Sequence, residues 1–314
     1  MLAALLLLTL KADVWLQPGA AHPGDLVLIT VDALTHAPTG RLGNEELTFL
    51  PAADHAHGVW QALVGLKVDQ KPGVLALELS GRDEHGALHL GGTLDVLQPA
   101  FRHRELTVGA KFTSPSKKDQ QHSARDQVAF NEAFDRDFEP FAFTHDFVWP
   151  RPPDLTAPFG DIRVLNGRKQ SQHFGIDLDS EVGDPIWAAN DGTVVMARDC
   201  FASGNTVLIH HGARLFTAYF HLSKFEVKQG QVVKAGQRIG LVGKTGRVTG
   251  PHLHWGVKID GRWANPTSLL SMAFVAPPAA PVVAAPDLES MPPTVPDAGI
   301  SDPSTSPDAS RGTP

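Results

Sequence analysis

Gly250-Pro251-His252-Leu253-His254-Trp255-Gly256-Val257 is the stretch from which the rest of the chain can be read. Leu253, Trp255 and Val257 alternate with His252, His254 and Gly256, the period of two that marks a strand with one apolar face. His252 and His254 therefore point to one side, and two imidazoles enter one space. Gln172-His173-Phe174-Gly175-Ile176-Asp177-Leu178 has the same construction, with His173 and Asp177 opposite the apolar face of Phe174, Ile176 and Leu178. A spacing of four would also align these two on a helix, but Gly175 and the alternation favour the extended form. Leu215 to His221 is a third such run: Thr217, Tyr219 and His221 share one face, and Phe216, Ala218 and Phe220 the other.

Working outward, Gly192-Thr193-Val194-Val195-Met196 and Thr206-Val207-Leu208-Ile209 add strands, so residues 159–272 read as an all-β domain. Upstream, Leu26-Val27-Leu28-Ile29-Thr30-Val31 and Gly73-Val74-Leu75-Ala76-Leu77-Glu78-Leu79 recur among Gly, Pro and Asp at roughly ten-residue intervals, the cadence of a β-sandwich. Its strand rhythm and size make residues 13–99 an immunoglobulin-like domain. Between the two units, residues 100–158 form a connector. Ser114-Pro115-Ser116 can cap a short helix over the polar stretch that follows, and Trp149-Pro150-Arg151-Pro152-Pro153 reads as extended linker laid on a neighbouring surface. Residues 1–12 begin with Met1-Leu2-Ala3-Ala4-Leu5-Leu6-Leu7-Leu8-Thr9-Leu10, too short to span a bilayer but suited to a signal-peptide core. Residues 273–314 are rich in Pro, Ala, Ser and Thr and poor in bulky apolar residues, the composition of a disordered tail.

Among 314 residues there are 29 glycines, 25 prolines and a single cysteine, and the formal net charge is −7. Turn-punctuated β-structure suits that composition. Cys200 alone excludes intrachain disulfides and Cys-ligated structural zinc. With no basic run along the chain, nucleic acid is excluded as a partner.

A metal must then be held by imidazole and carboxylate. Catalytic zinc takes three protein N or O ligands and keeps one position open, and His173, Asp177, His221, His252 and His254 exceed that number. The surplus can serve as general base and as donor to an oxyanion, roles that each contribute on the order of a hundredfold or more.

The motifs resemble, jointly and in order, those of the lysostaphin-type (LytM-like) zinc metallopeptidases, a family of peptidoglycan endopeptidases. The matching residues are His173-Phe174-Gly175-Ile176-Asp177, Ala189-Asn190-Asp191-Gly192-Thr193-Val194, Gly204-Asn205-Thr206-Val207, Tyr219-Phe220-His221-Leu222-Ser223, Val233-Lys234-Ala235-Gly236-Gln237-Arg238-Ile239-Gly240 and Thr249-Gly250-Pro251-His252-Leu253-His254. The resemblance covers about residues 159–270. It implies a lysostaphin-like antiparallel sheet, one Zn2+ per chain on His173, Asp177 and His254, and His221 and His252 as catalytic residues that divide base and oxyanion roles. It further implies hydrolysis of peptide cross-links in bacterial peptidoglycan, with peptidoglycan peptides as partner. Together with the leader it implies export to the periplasm, cell envelope or medium, with no stable membrane span after cleavage. The alternative is a non-catalytic wall-binding or activator protein that retains the metal site. Val233 to Gly243 also resembles the glycine-turned strands of lipoyl or biotinyl carriers, a reading that leaves the histidines unexplained.

Other polar groups take plainer readings. His55-Ala56-His57 sits in a turn-like polar stretch and reads as surface, His210-His211 as a strand end, and Asp83-Glu84-His85-Gly86 as a hairpin turn. Tyr219 fits a substrate contact and a core position equally. Arg163, near the domain entrance, reads as surface charge ahead of a substrate contact, and Cys200 as an unreactive thiol.

Overall fold

In the computed structural model, residues 12–275 are described, apart from His55 and Arg168. The expected signal peptide, all but its last residue, and the tail from residue 276 onward lie outside the described residues. Within them no helix is long and apolar enough to cross a membrane.

The run Leu26–Val31 organises the amino-terminal half. All six residues are buried, because the strand has a core on each side. Val27, Ile29 and Val31 enter the sandwich core with Leu77, Leu79, Leu90 and Leu94, whereas Leu26 and Leu28 join the core of the second unit. One sheet pairs Leu26–Val31 with Val14–Gln17 and Trp60–Gly65, and Trp60–Gly65 pairs in turn with Leu50–Pro51. The facing sheet is built on the hairpin Gly73–Asp83 and Gly86–Val96, with Thr39–Leu42 beside it. Its turn forms as read: Asp83 Oδ1 accepts from the amides of His85 and Gly86 at 2.8 and 3.0 Å.

The connector contains the expected helix, Lys117–Phe134, opened by a reciprocal cap between Ser116 and Asp119. Its apolar side is aromatic. Phe130 and Phe134 pack on Phe220, Phe216 and Trp263, and the buried Asp126 accepts from Arg198 Nη2 at 3.2 Å and from the Phe201 amide at 2.7 Å. Farther on, Phe141, Phe143 and Phe147 are buried against Phe274.

The main sheet of the second half runs Leu155–Ala157, Ile176–Asp179, His252–Ile259, Leu215–Phe225, Gly204–His210, Gly192–Cys200 and Val232–Val233, and its pairs are antiparallel. A separate three-stranded sheet sets His103–Leu106 parallel to Ile162–Leu165, which pairs with Lys169–Gln172. The molecule is thus nearly all β, as the sequence predicts. The single strand expected through His173 and Asp177 differs: Lys169–Gln172 and Ile176–Asp179 belong to different sheets, and His173 to Gly175 crosses between them.

The two units are tied together through polar contacts. The Asn265 amide donates to the Gly24 carbonyl, Leu26 N to Ser268 Oγ, and Gln61 Nε2 to the carbonyl of Phe274. Phe274 is 1% exposed, so the packed structure continues past residue 272. Phe274→Ala should lower stability by about 3–5 kcal/mol, read as a reduced urea midpoint at unchanged slope; an unchanged midpoint would mean the ring is no part of the core.

Candidate functional site

Ile176–Asp179 and His252–Ile259 pair so that Asp177 lies opposite His254, with Ile176, Leu178, Leu253 and Trp255 buried on the reverse face. His173 reaches the same point from the crossing segment, held by its amide on the Asp161 carbonyl. Gly175 permits the approach: a Cβ there would fall 2.4 Å from His254 Nε2 and 2.7 Å from the Trp255 carbonyl.

Three atoms converge. His173 Nε2 is 3.0 Å from Asp177 Oδ1 and 2.9 Å from His254 Nδ1, which is itself 2.9 Å from Asp177 Oδ1. Among the described residues this is the one group of three His, Cys, Asp or Glu side chains placed to hold a metal ion. Hydrogen bonding alone does not satisfy it. His173 Nδ1 lies 2.8 Å from the Pro158 carbonyl, a pure acceptor, so Nδ1 carries the proton and the neutral ring turns a bare Nε2 toward the cluster. That lone pair then faces a carboxylate oxygen and a second imidazole nitrogen, and no arrangement of protons serves all three contacts while His173 stays neutral. A cation does. Two imidazoles and one carboxylate are a donor set suited to zinc, and the Pro158 carbonyl orients its histidine as outer partners of metal sites do.

The second oxygen of Asp177 is also engaged, accepting from Arg163 Nη2 at 2.7 Å. Burial opposes ionisation of Asp177, but its contacts with His173 and His254 outweigh that and hold its carboxyl well below the ordinary carboxylate range. Phe220 stacks on the His254 ring with centroids 5.0 Å apart and planes 6° from parallel, which fixes the ring from above.

His221 and His252 face each other beside this cluster, ring centroids 5.0 Å apart. Each gives its Nδ1 proton to a backbone carbonyl, His221 to Thr245 at 2.8 Å and His252 to Gly250 at 2.9 Å, so both present Nε2 to the cleft. His252 Nε2 is 3.6 Å from Asp177 Oδ1. Burial, then the neighbouring His252 and His254, push the His221 pKa well below its usual value.

His221 arrives by a route the alternation does not show. Thr217 and Tyr219 face the core, where the Tyr219 hydroxyl accepts from the Ala189 amide and from Thr217 Oγ1. The core reading of Tyr219 is the observed one. Strict alternation would bury His221 beside it, but the pairing with Gly204–His210 slips by one residue between Tyr219 and Leu222, and His221 has φ of 67°. This bulge turns Phe220 and His221 both into the cleft. Arg163, read as surface charge, is instead a partner of Asp177; no local pattern marks it, because the contact joins two sheets.

The cleft is about 520 Å³ and is lined by the five residues above together with Arg104, Leu106 and Val108 from the connector and Arg247 from the loop before His252. Among the described residues, the sandwich contributes none to the lining. His211 lies apart, fully buried between the Asp191 carbonyl and Thr217 Oγ1, with burial pushing its pKa down to about 4. Burial, then the charge of Asp126, pushes the Cys200 thiol up to about 11, in keeping with an unreactive thiol.

Residues 171–266 match the profile of Peptidase family M23. The chain carries a peptidase M23 domain. The lysostaphin-type resemblance read from the motifs is thereby borne out. Over 158 residues the chain is 49% identical to the peptidoglycan DD-endopeptidase ShyA of Vibrio cholerae, covering 50% of this chain and 34% of that protein. Over 115 residues it is 43% identical to the DD-carboxypeptidase/endopeptidase Mpg of Neisseria meningitidis, covering 37% and 26%. The matched part therefore spans about a third or less of the length of these curated relatives. A crystal structure from Pseudomonas aeruginosa assigned to peptidase M23 aligns with a TM-score of 0.57 at 25% identity, over 79% of this chain and 94% of that one. The M23 segment begins after Arg163, so the arginine that holds Asp177 comes from outside it.

A β-carbon at the φ of His221 is strained. His221→Gly should therefore be more stable than His221→Ala by about 1 kcal/mol, measured by urea denaturation; equal stability, or the reverse order, would show that the bulge stores no strain.

Proposed function

We propose that the protein is a zinc-dependent endopeptidase that hydrolyses peptide cross-links in bacterial peptidoglycan, acting outside the cytoplasm in the periplasm or cell envelope. The observation that carries this reading is the convergence of His173 Nε2, Asp177 Oδ1 and His254 Nδ1 within 3.0 Å of one another, beside two further imidazoles in an open cleft. The likeness to DD-endopeptidases supplies the substrate class.

His173, Asp177 and His254 would hold the metal. Zinc in such a site supplies Lewis-acid polarisation of a carbonyl and a nucleophile at neutral pH. The protein's own groups do the rest. Arg163 and the Pro158 carbonyl hold Asp177 and His173 in place, so the ligands need little rearrangement. His221 and His252, with Nδ1 protons committed to carbonyls, keep Nε2 free on the substrate side. One accepts a proton during attack and returns it to the leaving amine. The other, once protonated, donates to the oxygen of the tetrahedral intermediate.

Purified peptidoglycan incubated with the zinc-loaded protein should release peptide fragments whose masses name the cleaved bond, and His252→Ala should slow release by about a hundredfold or more. Chelation should abolish it, and added zinc restore it. Intact wall in the presence of bound zinc would sink the enzyme reading in favour of a binding or activator protein. Separately, Arg163→Met should weaken zinc affinity by about ten- to a hundredfold in a chelator competition; unchanged affinity would show that its contact with Asp177 does not support the ligand.

A further inference from the structure

Three arginines line the cleft, and they differ in what they face. Arg163 is spent on Asp177, and Arg104 has its Nε 3.7 Å from Asp161 Oδ2. Arg247 is different: among the described residues no carboxylate lies within 4.0 Å of it. Its backbone is pinned, its amide donating to the Ala202 carbonyl at 2.8 Å. The neighbouring Gly246, at φ of 75°, lies so close that a Cβ there would fall 2.4 Å from the Gly204 amide nitrogen. The side chain is half-buried in the cleft lining that also holds His252, and a guanidinium cannot shed its proton to relieve that burial. Burial, with Arg163 close by, works against its charge. An unpaired, partly desolvated guanidinium on a held backbone in the lining of a substrate cleft is placed for an anion, and its planar fork fits a carboxylate through two parallel hydrogen bonds.

We propose that Arg247 is the carboxylate-recognition residue of the cleft, pairing with an acidic group that the peptide substrate carries beside its scissile amide. This rests on the peptidase reading for the identity of the ligand, but not for the existence of the anion site. Arg247 thereby makes the enzyme prefer peptides whose carboxylates are free over those in which they are amidated.

The test uses a synthetic cross-linked stem-peptide dimer and the same dimer with the carboxylates next to the cross-link converted to carboxamides. Calorimetry on the zinc-free full chain should show the carboxylate form binding about ten- to a hundredfold tighter. Arg247→Gln should remove that preference, Arg247→Lys should keep part of it, and thermal melts should show both variants folded. Equal affinity of the wild type for the two dimers, or a preference that survives in Arg247→Gln, would overturn the proposal. Cleavage by the zinc-loaded protein separates the two claims. Hydrolysis without preference for the free carboxylate sinks the Arg247 site and leaves the peptidase, whereas charge-selective binding without hydrolysis sinks the peptidase and leaves the site.

Discussion

The pairing of Ile176–Asp179 with His252–Ile259 is the constraint on which the rest of the structure depends. Asp177 faces His254 across it, and on the reverse face Ile176 meets Trp255 and Leu178 meets Leu253, all four with no measurable exposure. Because side chains alternate, a slip of one residue would drive the carboxylate and imidazole into the core and push the apolar set into the cleft. Burial of those large side chains contributes about 1.5–3 kcal/mol each, so the apolar face sets the register and the polar face inherits it. The core beneath the three converging atoms is what holds them within 3.0 Å of one another.

The same division of labour extends outward. Leu26–Val31 is buried on both faces, so the sandwich and the M23 domain share a strand's worth of core while the sandwich stays clear of the cleft. The connector does reach it. His103–Leu106 joins Ile162–Leu165, the strand that carries Arg163, and the two raise one wall of the cleft from residues before the M23 segment. The M23 segment supplies the five clustered His and Asp side chains and Arg247, while one wall of the cleft is built by what precedes it.

How much of this was legible in the sequence depends on whether each feature is local. His252 and His254 are read correctly because a strand places alternate residues on one face whatever surrounds it. His173 and Asp177 converge as read, but not on one strand, since the chain changes sheets at Gly175 and only the later approach of His254 explains why glycine stands there. His221 enters the candidate set from an alternation that places it on the face of Tyr219, and that face is core; it reaches the cleft by a bulge, which is a property of the pairing between two strands that the residues of one strand do not encode alone. Arg163 carries no motif at all, because its partner lies fourteen residues on and in another sheet.

Arg163 and His221 share a physical feature that local reading misses. Each is costly taken alone: Arg163 buries an Nε that has no hydrogen-bond partner among the described residues, and His221 adopts a left-handed backbone. Such costs persist only when the surroundings over-determine them. For Arg163 the compensation is the second oxygen of Asp177, left free because the first turns toward the imidazoles. For His221 it is the hydrogen bonding that locks it on both sides, its amide to the Ser203 carbonyl and its ring to the Thr245 carbonyl. Thr245 is fixed in turn by its own hydroxyl, which donates to the Leu222 carbonyl and accepts from the Asn205 amide. Both positions line the cleft, and in both a local cost is offset by hydrogen bonds from neighbouring segments rather than by anything in their own strand.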